Sequence, residues 1–414
     1  MKNIKRRTKA VGAAVFIVAA AVFPGFPAAG FPAGAAVPAP VPVAQAASRP
    51  FYYAVWLPFW RSKSGATDVS LHLNRLHEVS PFSYAVRPDG TLVDDLRIGD
   101  GSWNPWFSAV RAAGVKIIPT VAWLDGNAIN ALLSDGSARR ALETRIADLV
   151  KQNDFSGIDI DFEGMPSSTR NYYSLFIYGL ALRLHPAGKT LACTVTPRMP
   201  ESSMYASNPL PPIAYSENYT VLNRYCDEVR VMAYDQGLID IKLDASKGNG
   251  TLYAPVADPA WVRKVILETI RWVNPRKVML GIPTYGYEYQ VSWRMGATTY
   301  ERVRSFDYTG AMERALSMGI VPYRNNAGEL SFAYSSSTHI TGVPSVLTGI
   351  VASTLPAALA GSGPDSTSTT FFVSFSDAQA IAQKIALAKA FGLRGAILFK
   401  ADGGMDPATW NVMR

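Results

Sequence analysis

Phe155-Ser156-Gly157-Ile158-Asp159-Ile160-Asp161-Phe162-Glu163 places three acids at alternate positions, with Ile158, Ile160 and Phe162 between them. Successive side chains of a strand point to opposite faces, so this stretch has one acidic face and one apolar face. The apolar face needs a greasy cover, which helices would supply, and the acidic face must line a cavity that water or a ligand reaches. Three crowded carboxylates raise one another's proton affinity, so one of them should hold a proton near neutral pH. A protonated acid beside an ionised one is what glycosidic cleavage uses. The same alternation also fits the wet face of an antiparallel sheet, and clustered carboxylates suit a hard cation. Against the cation, the segment lacks a glycine-turn loop that would wrap one.

The chain has 414 residues, 48% of them hydrophobic, enough to bury a large core in one big domain or two smaller ones. Its first residues carry Lys2, Lys5, Arg6, Arg7 and Lys9, followed by an apolar run from Ala10 to Phe23, the layout of a secretory leader. A Pro, Ala and Gly tract then reads as an extended spacer to about Pro50, with Ala44-Gln45-Ala46 and Ala33-Gly34-Ala35 as competing cleavage sites. The expectation is a secreted or envelope-associated protein, with a membrane tether if the leader stays uncleaved. Without residues 1–46 the balance is 35 basic against 32 acidic residues, so the net charge falls from +8 to +3. The basicity belongs mostly to the leader, which argues against a nucleic-acid partner. Cys193 and Cys226 are the only cysteines. A single bridge and two buried thiols are both open readings.

Eight strand candidates follow the spacer: Tyr52 to Leu57, Phe82 to Val86, Val115 to Ala122, Gly157 to Phe162, Thr190 to Thr196, Glu228 to Tyr234, Lys277 to Ile282 and Gly395 to Phe399. Amphipathic stretches alternate with them, among them Ser137 to Gln152, Thr169 to Leu184, Pro259 to Val273 and Asp377 to Phe391. Such alternation argues for an α/β fold with a parallel sheet, and eight repeats argue for closure into a (β/α)8 TIM barrel. The interval after strand seven is too long for a loop. It holds a helix-like Tyr308 to Met318 and a strand-like Glu329 to Tyr334, which predicts an inserted α+β subdomain with a Gly, Ser and Thr-rich loop over 361–370. The expected organisation is leader and spacer over 1–46, barrel over 47–286, insertion over 287–372, and the last barrel helix and strand over 373–414. Barrels of this type carry their active site at the C-terminal strand ends, where Glu163, Tyr234, Asp235 and Tyr285 fall.

At this point the sequence resembles a family 18 glycoside hydrolase, the group of chitinases and related N-acetylglucosaminidases. The family's strand-four signature, Asp-Gly-x-Asp-x-Asp-x-Glu, is matched from Ser156 to Glu163, with Ser156 in place of the first Asp. Met232-Ala233-Tyr234-Asp235 resembles the strand-six motif Met-x-Tyr-Asp, and Gly281-Ile282-Pro283-Thr284-Tyr285-Gly286 the strand-seven motif Gly-x-Pro-x-Tyr-Gly. The insertion after strand seven is a further family feature.

The resemblance implies substrate-assisted, retaining cleavage of β-1,4 bonds next to N-acetylglucosamine, in which the substrate's acetamido oxygen is the nucleophile. Glu163 would be the general acid. Asp161 would orient the acetamido N–H and stabilise the oxazolinium-like intermediate, and Asp159 would share a proton with Asp161. Tyr234 would donate its hydroxyl to the acetamido oxygen and Asp235 would contact the sugar. Met232 and Tyr285 would border the substrate, although Met232 also suits barrel filling. Trp56 and Trp123 would offer flat faces to sugar rings or pack in the core. The family usually has Trp on strand eight; here Phe399 stands as a smaller platform and Lys400 follows it, which suits an anionic or peptide-bearing glycan. No cofactor and no metal are implied, and the partner is a polysaccharide containing N-acetylglucosamine, chitin or peptidoglycan, met by a monomer. A non-catalytic lectin on the same barrel is the rival reading. A metal-dependent hydrolase is disfavoured by only four histidines, at 72, 77, 185 and 339, without ligand spacing.

Overall fold

The acidic strand, Gly157–Phe162, pairs in parallel with Thr120–Trp123 on one side and Thr190–Val195 on the other. Continuing the parallel pairings through Glu228–Val231, Val278–Pro283, Gly395–Phe399 and Tyr52–Pro58 leads to Glu78–Val86, which returns to Thr120–Trp123. The sheet is therefore a closed eight-stranded (β/α)8 barrel. The structure is a computed structural model and describes residues 50–207, 212–248, 250–294, 297–335 and 369–414. The leader, the spacer and the serine-rich stretch 361–368 lie outside the described residues.

Ile158, Ile160 and Phe162 point outward and are fully or almost fully buried against the helix Arg170–Leu184, where Phe162 stacks on Phe176 at 5.3 Å. Burial of side chains this size is worth ~1.5–3 kcal/mol each, which locks the strand's register and thereby the direction of its acids. Gly157 opens the strand because a Cβ there would lie 2.1 Å from the Thr190 carbonyl oxygen. Helices start on aspartate caps: Asp135 accepts from the amides of Ser137 and Ala138, and Asp258 and Asp377 cap Pro259–Ile270 and Ala378–Ala390.

Three strands depart from the sequence reading. The second begins at Glu78 rather than Phe82, because Glu78 and Ser80 face a charged barrel interior rather than a solvated loop. The third is interrupted at Ile118-Pro119, where proline lacks a ladder donor. The sixth stops at Val231, because the amides of Ala233 and Tyr234 turn back to the carbonyls of Val231 and Met232 at 2.8 and 2.9 Å.

Cys193 and Cys226 form a disulfide across 33 residues, both sulfurs buried on the outward side of the barrel wall. After strand seven, Tyr285–Arg294, Ala297–Asp307, Tyr323–Arg324, Leu330–Ser335 and Thr370–Phe375 make a five-stranded antiparallel sheet with the helix Tyr308–Ser317 against it. Among the described residues no helix is long and apolar enough to cross a membrane.

Candidate active site

The inward face of the acidic strand carries Asp159 deep in the barrel, Asp161 above it and Glu163 just past the strand's end. Asp159 is fully buried. Its Oδ1 accepts from the Thr194 hydroxyl at 2.8 Å; its Oδ2 accepts from Thr120 at 2.8 Å and from the Trp56 indole at 3.1 Å, and lies 3.2 Å from Nη1 of Arg230. Asp161 is also buried, but its Oδ1 has no partner among the described residues. Burial, then the charges of Glu163 and Asp159, push the Asp161 carboxyl well above the usual carboxylate range, so the neutral acid is favoured. Glu163, partly exposed, is raised by burial and by the charges of Asp235 and Glu217. Its amide donates to the Trp123 carbonyl at 2.9 Å, fixing the chain where the side chain leaves the barrel.

Tyr234 is 8% exposed and lies flat on Phe399, centroids 5.4 Å apart at 17°; no hydrogen bond is made by its hydroxyl within the described residues. Burial and the charges of Asp161, Asp235, Glu163 and Asp159 hold its proton firmly, leaving the phenol a donor. Asp235 follows in the left-handed region at φ 59°, one of the few such conformations an aspartate tolerates. Its Oδ1 accepts from the hydroxyls of Tyr285 at 2.5 Å and Tyr287 at 2.8 Å, so two tyrosines of the insertion's first strand hold it at the rim.

A cleft of about 400 Å³ opens beside these groups. Asp235, Tyr285 and Phe399 line it, together with Trp60, Arg61, Tyr287, Ser305 to Asp307, Lys400 and Asp402. Glu163, Asp161 and Tyr234 do not line this cleft; they adjoin it through the Tyr234–Phe399 stack and through the field of Asp235 on Glu163. Met232 packs half-buried against the inner aromatic cluster. Lys400 pairs with Asp402.

Of the two readings open for Trp56 and Trp123, their burial favours packing. Trp56 is 2% exposed and offers no face to a sugar: it lies in the barrel with its indole bonded to Asp159 and its ring edge-on to Phe399. Trp123 is 5% exposed and points outward, edge-on to Phe162 at 5.6 Å, because alternation on its strand sends Thr120 and Ala122 inward. The exposed tryptophan at the cleft is instead Trp60, four residues past Trp56 and half exposed.

Sequence reasoning also missed Glu217, whose Oε1 accepts from Thr196 at 2.9 Å while Arg198 bonds its carbonyl at 2.5 Å and its Oε2 at 3.3 Å. It missed the buried ions Glu78, Glu228 and Arg230 as well. Their signal was present: Glu228-Val229-Arg230 and Glu78-Val79-Ser80 repeat the alternation that marks the acidic strand. Among the described residues no group of three or more His, Cys, Asp or Glu side chains is placed to hold a metal ion.

A closed barrel with two buried carboxyls on the inward face of one strand and a third acid at its rim defines a barrel of the glycoside hydrolase class. The chain belongs to Glycosyl hydrolases family 18, whose profile matches residues 82–404. It is similar to the cortical fragment-lytic enzyme of Bacillus anthracis, 23% identical over 219 residues, which are 52% of this chain and 46% of that one. The chain spans about half the length of the curated relatives it matches. In structure it resembles the spore cortex-lytic enzyme SleL of Bacillus cereus (TM-score 0.63, 18% identity, 88% of this chain and 73% of that one). It also resembles a chitinase of Chromobacterium violaceum (TM-score 0.63, 20% identity, 88% and 98%). At these identities the likeness concerns the fold.

Proposed function

We propose that the chain is an exported glycoside hydrolase that cleaves β-1,4 bonds next to N-acetylglucosamine with retention of configuration, and that its substrate is peptidoglycan of the cell wall or spore cortex. The observation that carries this reading is the orphaned, buried Oδ1 of Asp161, a carboxyl that favours its proton, between a fully bonded Asp159 and the rim acid Glu163. A buried acceptor without a partner is costly unless a ligand donor fills it, and an acetamido N–H is such a donor. The Tyr234 hydroxyl would hold the acetamido oxygen in line with the anomeric carbon. Glu163, its proton held by burial and by neighbouring negative charge, would protonate the leaving oxygen, and the Asp161 proton would then face the carboxylate that Glu163 becomes. The relatives named for cortex lysis support a peptidoglycan substrate over chitin.

Incubating the mature domain with muropeptide-bearing glycan strands and with chitin oligomers, and weighing the products, tests this. Cleavage of the former at N-acetylglucosamine is expected. Glu163→Gln should lower turnover about 10²- to 10⁴-fold while binding persists. Equal inactivity of wild type and variant, with binding intact, would favour the lectin, for which Phe399 in the place of a strand-eight tryptophan speaks.

A further inference from the structure

Beneath the acids lies a set of ions that the proposed chemistry does not use. Arg230, fully buried in the sixth strand, donates Nη1 to the Ser80 hydroxyl at 2.7 Å and lies 3.2 Å from Asp159; its Nη2 reaches Glu228 at 3.1 Å and also bonds Glu78. Arg394 contacts Glu228 from the other side at 3.0 Å. Two guanidiniums therefore meet three carboxylates, and an interior this dry needs one proton to balance the count. Glu78 takes it: burial, outweighing the Arg230 cation, pushes its carboxyl up to about 8, and its Oε2 has no partner.

The remaining surroundings of Asp159 are Trp56 from strand one, Thr120 from strand three, Asp161 on its own strand, Thr194 from strand five, Tyr234 after strand six and, within reach of its charge, Tyr173 of the helix Arg170–Leu184. Strands seven and eight contribute Met279 and Ile397, which do not titrate. Arg230 is thus the cation in direct contact with Asp159, and with Trp56, Thr120 and Thr194 it surrounds that side chain with donors.

We propose that Arg230 is a positioning residue that fixes Asp159 as an acceptor and so keeps the proton of the acidic face on Asp161, next to Glu163. This rests on the hydrolase reading for its consequence in turnover, but not for the placement of the proton. A proton on Asp161 stands where Glu163 needs a donor after giving up its own. A second proton on that face would disable it, and the cation keeps that protonation at low pH.

The test is Arg230→Met, with Arg230→Lys as the conservative variant. For Arg230→Met the acid limb of the kcat profile should move to higher pH by about one unit or more, since a buried cation beside a carboxyl moves its proton affinity by that much. Arg230→Lys should return the limb toward its original place. A uniform loss of kcat with the limb unmoved would overturn the proposal, because that is what a structural role alone gives. If Arg230→Met does not fold, the double variant Arg230→Met with Glu78→Gln leaves Glu228 to Arg394 and only Asp159 without its cation, and the same shift is expected. Carboxyl-labelled aspartate read by ¹³C NMR follows Asp161, assigned by Asp161→Asn, without any turnover. In the wild type its carboxyl should remain in the protonated range at neutral pH, and in the variant it should move toward the ionised range; an unchanged Asp161 signal overturns the proposal. Should the wild type cleave no N-acetylglucosamine polymer, the hydrolase reading fails while the NMR still decides the role of Arg230.

Discussion

Three carboxyls two residues apart occupy three environments, and their chemistry follows from partners rather than residue type. Asp159 is saturated with donors, Asp161 is buried with one oxygen empty, and Glu163 looks out toward Asp235 and Glu217. For Asp161 the proton affinity in the fold exceeds that in the unfolded chain. Its stabilising contribution is therefore complete below the ordinary carboxylate pKa and is lost as pH rises through the raised value. Asp161→Asn should accordingly abolish turnover yet unfold at a higher temperature than the wild type near neutral pH, and the gap should narrow under acid; thermal scans across pH check this. Glu163 is raised in part by the negative charge of Glu217, so Glu217→Gln, whose amide oxygen can still accept from Arg198 while its NH2 donates to the Thr196 hydroxyl, should let Glu163 ionise earlier. The alkaline limb of the kcat profile then moves to lower pH, and a limb that moves up or stays would assign Glu217 to scaffolding alone.

Elements whose pattern is set by one boundary were legible, and those set by distant partners were not. Ile158, Ile160 and Phe162 announce a strand under a helix, and the helix Arg170–Leu184 answers within one residue of the reading. The start of strand two was easily missed: Glu78-Val79-Ser80 carries a strand alternation, but two polar residues read as loop until their partner Arg230, about 150 positions on, is known to bond them. For Trp56 and Trp123 the sequence left sugar platform and core packing both open for a related reason: which way a tryptophan near a strand end points depends on the register, and Trp56 turns inward to bond Asp159. The site's acids and tyrosines were legible as local motifs, whereas the cleft's Trp60 wall and the insertion's contribution depend on loops meeting in space. The cysteines illustrate the limit: sequence left their pairing open, and adjacency of strand five and the entry to strand six joins them. A bridge closing 33 residues should stabilise the fold by about 3–4 kcal/mol through the unfolded chain. Since it lies outside the barrel wall, Cys193→Ala with Cys226→Ala should lower the urea midpoint and leave kcat unchanged, and reductant should reproduce the effect in the wild type.

At the scale of the whole barrel, the cleft has two walls of different origin. One is the turn after the first strand, with Trp60 and Arg61; the other is the insertion, with Ser305 to Asp307 and the tyrosines that hold Asp235. They touch through Arg61 and Asp307 at 3.4 Å, an exposed pair worth ~0–1 kcal/mol, so the walls are set by their own elements and not by this contact. A cleft between such walls suits a glycan lying lengthwise, with Trp60 stacking on a sugar some distance from the bond that breaks. Removing that ring should cost about 1.4 kcal/mol of binding for chains long enough to reach it, or tenfold in KM. Trp60→Ala should thus raise KM about tenfold for long oligomers and leave short ones, which do not extend that far, with unchanged kcat/KM. Comparing kcat/KM across oligomer lengths decides it: a loss equal at every length would place Trp60 in folding, and no loss at any length would mean that the glycan runs elsewhere across the barrel mouth.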